Sequence, residues 1–220
     1  MSSSPKTKRF IFLVPLLLGT CLLQAHTINY ALENAPVHRV VGYYLLLGFQ
    51  HILPGGFDHI LFITGLCLLS TRVQTILWQA TAFTVAHSIT LILSMQKIVA
   101  APPGLVEPII ALTILFIAVE NLLLDRVKAW RILIVFLFGL VHGLGFASAL
   151  AQKGLPPHQF YTSLLAFNAG VEVGQIAVIA LFYTLVILPF GKGRYYKRKV
   201  VYPLSIFIAL MAAFWLVQRI

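Results

Sequence analysis

Apolar residues in this chain come in long uninterrupted blocks rather than in the two- or four-residue alternation of a half-buried strand or surface helix. A helix rises about 1.5 Å per residue, so about 20 apolar residues cross roughly 30 Å of hydrocarbon. After an apolar stretch near the start, six such blocks predict membrane helices at about 57 to 71, 75 to 96, 105 to 124, 130 to 151, 161 to 188 and 200 to 218. The first is short for a full crossing. Just before it, residues 41 to 53 (VGYYLLLGFQHIL) are too few to span and run into Pro54-Gly55-Gly56, which predicts an interfacial or re-entrant helix that turns sharply into the membrane. That break puts Asp58 and His59 in the first turn of the following helix. The expected fold is all-α: a polytopic bundle of six transmembrane helices after an N-terminal signal segment.

Composition supports this class. Of 220 residues, 60% are hydrophobic and only 10% charged, and the charges gather in short connecting segments instead of coating an exterior. The formal charge of +10 belongs to these segments, where it meets lipid head groups; no nucleic-acid partner is expected. Lys6, Lys8 and Arg9 followed by the apolar run Phe10 to Leu23 and by Ala25 read as an export signal over residues 1–25, or as an uncleaved first helix, leaving residues 26–220 as one integral membrane domain. Cleavage after Ala25 would make His26 the mature N-terminus, an amine-plus-imidazole chelate, and leave Cys67 as the only thiol. Arg72, then Arg126, Lys128 and Arg131, then the run from Lys192 to Lys199 occupy alternate loops, which predicts those loops to be cytoplasmic and both the mature N-terminus and the C-terminus to face the periplasm of a bacterial-type inner membrane.

With every Lys and Arg assigned to loops or ends, the spans keep four of the six carboxylates (Asp58, Glu107, Glu120, Glu172) and three of the seven histidines (His59, His87, His142). Ionisable groups at membrane depth are costly and mark function by default, and carboxylates without a basic side chain at their depth need protons or metal ions as counter-charges. Counting inward at about 1.5 Å per residue puts Asp58, His59 and Glu107 near the outer surface, and His87, His142, Asn168 and Glu172 a third to halfway in. Most of them can share one outward-facing cavity. Glu120, beside Asn121, lies near the cytoplasmic end and is the candidate exit position.

Helix periodicity clusters these residues. In FNAGVEVGQ, Asn168, Glu172 and Gln175 form one stripe; in FGLVHGLGFAS, Gly139 and Gly143 form a GxxxG pair beside His142; in FTVAHS, Thr84 lies one turn before His87 and Ser88, where a hydroxyl can orient a ligand imidazole. Imidazole with carboxylate and few thiols suits nickel, cobalt, copper or zinc rather than magnesium or calcium. Each residue also has a plainer reading. A histidine can be a helix-packing group, His51 can rest in the interface, His38 and His158 in solvated loops, Glu107 can complement a helix N-terminus, and Glu120 can snorkel to the surface. Glu172 is the hardest to explain away.

The set HILPGGFDHILF, FTVAHSITL, VEPIIALTILFIAVEN, VHGLGFA and FNAGVEVGQ resembles the HupE/UreJ family, in a branch with the Gly-Phe-Asp-His-Ile form of the first motif. The resemblance covers most of the chain from 48 to 175 and implies a nickel or cobalt permease associated with hydrogenase and urease, with a metalloenzyme-maturation partner or a homo-oligomer as further implications. The first reading of the residues is a transition-metal uptake permease: His26 or His51 collects the ion; Asp58, His59, His87, His142 and Glu172 bind it, with Ser88, Glu107 and Asn168 nearby; and it passes toward Glu120 and Asn121. FGKGR lacks the spacing of a phosphate-binding loop, so no ATP is expected. The alternative is an intramembrane zinc-dependent hydrolase or acyltransferase acting on a lipid or lipoprotein, in which three histidines and an aspartate leave one coordination position open. A third reading is a non-transporting sensor or assembly partner.

Overall fold

The structure, a computed structural model, describes residues 30–220; the signal segment and His26 lie outside the described residues. After a single turn at Tyr30–Glu33, seven helices follow: α1 Val37–Ile52, α2 Phe57–Leu68, α3 Val73–Met95, α4 Pro103–Leu123, α5 Arg131–Lys153, α6 Phe160–Phe182 and α7 Tyr202–Arg219. α6 continues through a π-helical turn, Tyr183–Ile187, to Phe190, and α7 is entered through another at Lys197–Val201. No strand is present among the described residues.

Five helices are long and apolar enough to cross a membrane, and α1 with α2, bent by 68°, makes a broken sixth span or a re-entrant loop. The break falls where the sequence predicts it. Pro54 cannot donate to the α1 ladder, and the chain turns through Gly55 and Gly56, whose amides donate to the Gln50 and Ile52 carbonyls, before α2 starts at Phe57. α1 is longer than expected and is packed rather than lying on a surface, because Val40, Tyr44, Gly48 and Ile52, spaced four apart, form a buried stripe against α6. Gly48 and Gly170 make that packing close: a Cβ on either would overlap a backbone carbonyl of the other helix, Phe167 or Leu45.

Three tight helix pairs, α1 with α6, α3 with α5 and α4 with α7, surround the short α2, which touches members of all three. Outward faces are apolar: Trp78, Leu133, Leu165, Leu181 and Leu210 are each about 60% exposed, the arrangement expected where lipid replaces water. The chain is a multi-pass membrane protein. Its buried polar residues collect around α2 and along α3 and α6.

Candidate metal site

Two features of the backbone bring the histidines together. The break between α1 and α2 sets His51, in the last turn of α1, against His59, in the first turn of α2, with ring centroids 4.6 Å apart. Close packing of α3 on α5 then brings in the other two. Gly143 lies against Thr90 and the His87 carbonyl, where a side chain would overlap both, and Thr90 Oγ1 donates across the interface to the Leu140 carbonyl at 2.7 Å. His87 is 6.0 Å from both His51 and His59, and His142 is 5.1 Å from His59, ring to ring. One nitrogen from each of His51, His59 and His87 lies within 4.8 Å of the other two. Nitrogens bound to one tetrahedral ion at ~2.0–2.1 Å stand ~3.3 Å apart, so small ring rotations close the set.

The ring nitrogens are prepared for a ligand. Thr113 Oγ1 lies 2.7 Å from the Ile110 carbonyl and 2.9 Å from His142 Nε2, and with its one proton on the carbonyl it accepts from Nε2–H. In that tautomer Nε2 carries the proton, and Nδ1 keeps a lone pair that meets no hydrogen-bond partner. His51 Nε2, His59 Nε2 and both nitrogens of His87 are likewise buried without a well-formed hydrogen bond. The polar neighbour of His87 is the Asn168 amide, in contact but short of good hydrogen-bond geometry. Several orphaned imidazole nitrogens at one point would cost free energy in a purely structural role, and they match the donor chemistry of a late transition metal. Phe146 packs on His51 at 3.8 Å between centroids, and Phe83 lies 4.9 Å from His142 and 5.7 Å from His59, so the group is walled by aromatic rings.

A cavity of about 560 Å³ leads to the group, with His51, His59 and His142 in its wall and Asp58, Glu107, Trp215 and Arg219 also lining it. Asp58 does not join the imidazoles. Both its oxygens accept from Arg219 Nη2, at 3.1 and 3.2 Å, and the guanidinium also lies over the Trp215 ring. Glu107 is exposed, and its backbone carbonyl is 3.5 Å from Arg219 Nη1.

The profile of a family described as HupE / UreJ protein matches residues 27–219. The chain belongs to the HupE/UreJ family. No curated protein and no solved structure matches it. Membership implies metal handling, and the histidine group is the candidate place for an ion in this HupE/UreJ protein.

The other candidate residues of the HupE/UreJ chain fall into two places. Glu120 faces Arg131 at 3.0 Å, both almost fully buried, an ion pair by distance without hydrogen-bond alignment. Asn121 completes the lock by donating to the Gly65 carbonyl at 2.8 Å and accepting from Arg131 Nη2 at 3.1 Å. The expectation that intramembrane carboxylates meet no basic side chain is therefore corrected twice. Arg131, counted as a loop charge, is the first residue of α5 and is pulled inward by Glu120, and Arg219, counted as a terminal charge, reaches Asp58. Glu172 is on α6 beside α3, accepting from Thr81 Oγ1 at 2.7 Å, and it too is apart from the imidazole group. Thr84 does not orient His87. Its hydroxyl donates to the Ala80 carbonyl, and Ser88 donates to the Thr84 carbonyl. Thr113 was missed by sequence reasoning because its partner is 29 residues away on another helix.

Proposed function

We propose that this HupE/UreJ protein is an uptake permease for a divalent transition metal of the nickel and cobalt class, with His51, His59, His87 and His142 as its binding group. The observation that carries this reading is the convergence of three imidazoles within 4.8 Å, two buried and one partly buried, with a fourth beside Thr113, at the wall of an open cavity. Asp58 and Glu107 at the mouth attract cations, while Arg219 neutralises part of that charge. The basic run from Lys192 to Lys199 follows the far end of α6, opposite the cavity, so the positive-inside rule supports a cavity open to the periplasm and an inner-membrane location. A dication moving inward across about 100 mV gains roughly 4–5 kcal/mol, enough to drive accumulation without ATP.

The test uses purified protein and a His87→Ala/His142→Ala variant, each reconstituted into liposomes and offered nickel, cobalt, copper or zinc. Influx that falls to background in the variant is the expected result and identifies the ion. Stoichiometric, tightly held zinc with no influx for any ion would sink the permease reading and favour the zinc-dependent hydrolase.

A further inference from the structure

Four carboxylates lie in the spans, and the structure treats them differently. Asp58 is held by Arg219, Glu120 by Arg131, and Glu107 is exposed at the cavity mouth. Glu172 is partly buried between α3 and α6 with no basic partner among the described residues, and it accepts from the Thr81 hydroxyl at 2.7 Å. A carboxylate in that setting calls for a cation.

Its surroundings form a continuous polar seam. Thr81, Thr84 and Ser88 share one stripe of α3, spaced three and four apart, and Asn168, Glu172 and Gln175 share one stripe of α6, spaced four and three apart. The contacts His87 to Asn168 and Thr81 to Glu172 set the two helices in antiparallel register. The Thr84 and Ser88 protons are given to their own helix, which leaves the hydroxyl oxygens as acceptors. Asn168 Oδ1 and both amide atoms of Gln175, which is fully buried, have no hydrogen-bond partner. From Asn168, beside the histidine group, the stripe descends about 6 Å to Glu172 and about 10 Å to Gln175, away from the cavity mouth. The route through Glu120 is instead occupied by the Arg131 guanidinium.

We infer that the metal ion leaves the histidine group along the α3–α6 seam, with Glu172 as a second cation-binding position below it. This rests on the permease reading and names its inward path. The donor chemistry suits a relay. Four neutral imidazoles bind the ion but leave its double charge uncompensated, and Glu172 supplies the first negative charge inward of them. Carboxylate, hydroxyl and amide oxygens hold nickel or cobalt more weakly than imidazole does, so the second position accepts the ion and lets it go.

The test compares the unaltered chain, E172Q and Q175L, using cobalt(II) as the probe. The visible absorption of bound cobalt reports the imidazole site in detergent, and influx is followed in liposomes. E172Q should keep the cobalt spectrum and stoichiometry while influx falls about tenfold or more. Q175L, which alters no charge, should slow influx several-fold with the spectrum intact. Influx of E172Q equal to that of the unaltered chain overturns the relay, as does loss of bound cobalt from a monodisperse E172Q, which would make Glu172 a ligand of the first site. Unchanged influx in Q175L overturns the seam as the path even where E172Q does not fold. Absence of influx in the unaltered chain overturns the permease reading itself and the relay with it.

Discussion

Thr113 Oγ1 lies 2.9 Å from His142 Nε2 and 2.7 Å from the Ile110 carbonyl. With the hydroxyl proton on that α4 carbonyl, Nε2–H donates to Thr113 and Nδ1 of the α5 histidine is free for a ligand. Thr113→Val should weaken nickel or cobalt binding about 10- to 100-fold, as loss of an orienting partner does, and Thr113→Ser should restore it. Calorimetric titration in detergent checks this. Equal affinity in all three proteins would mean that His142 contributes no ligand through Nδ1.

His51 and Asp58 lie seven positions apart on either side of the α1–α2 break, and only His51 points its ring at the other imidazoles. His51→Asn is expected to lose most of the bound metal at equilibrium dialysis. Asp58→Asn should keep the stoichiometry and alter only the influx rate at low salt, where the mouth's charge matters most. Equal losses in the two variants would return Asp58 to the binding group.

Glu120 and Arg131 should behave as a buried pair. Arg131→Met leaves a buried carboxylate and Asn121 without their partner, and should cost about 3–5 kcal/mol of stability. Replacing both charges, as Glu120→Leu/Arg131→Met, should recover most of that loss. Thermal unfolding in one detergent compares the three proteins, and a double variant no better than the single one would show that the charges are needed for more than each other.

Close packing of α3 on α5 depends on Gly143, since a methyl there overlaps Thr90 Oγ1 and the His87 carbonyl. Gly143→Ala should cost about 1–3 kcal/mol by overpacking and weaken metal binding by separating His87 from His142. Gly104→Ala, where nothing lies within 4 Å of the added carbon, serves as the matched control and should be neutral or slightly stabilising. Identical metal affinity in both variants would remove the link between this contact and the site.

The helices were legible in the sequence because block length and Pro54-Gly55-Gly56 act locally, and local signals need no partner. His59, His87 and His142 were legible for the same kind of reason, as polar residues inside apolar runs. Pairing was not. Arg131 and Arg219 read as loop and terminal charges, yet each lies at a helix end from which a long side chain reaches a carboxylate on another helix. His51 read as an interfacial residue because nothing in the chain says that α1 packs lengthwise on α6, which draws its last turn inward.

The break between α1 and α2 also has a mechanical meaning. His59 lies near the pivot of a rigid rod, and Gly65, about 14 Å from the break, lies toward its other end, where Asn121 and Arg131 grip the carbonyl. A swing of about 10° at the pivot would carry Gly65 through about 2 Å. That exceeds what two hydrogen bonds at 2.8 and 3.4 Å tolerate. α2 is thus a lever clamped at its far end, and any tilt of it at the break must either bend it or loosen the clamp.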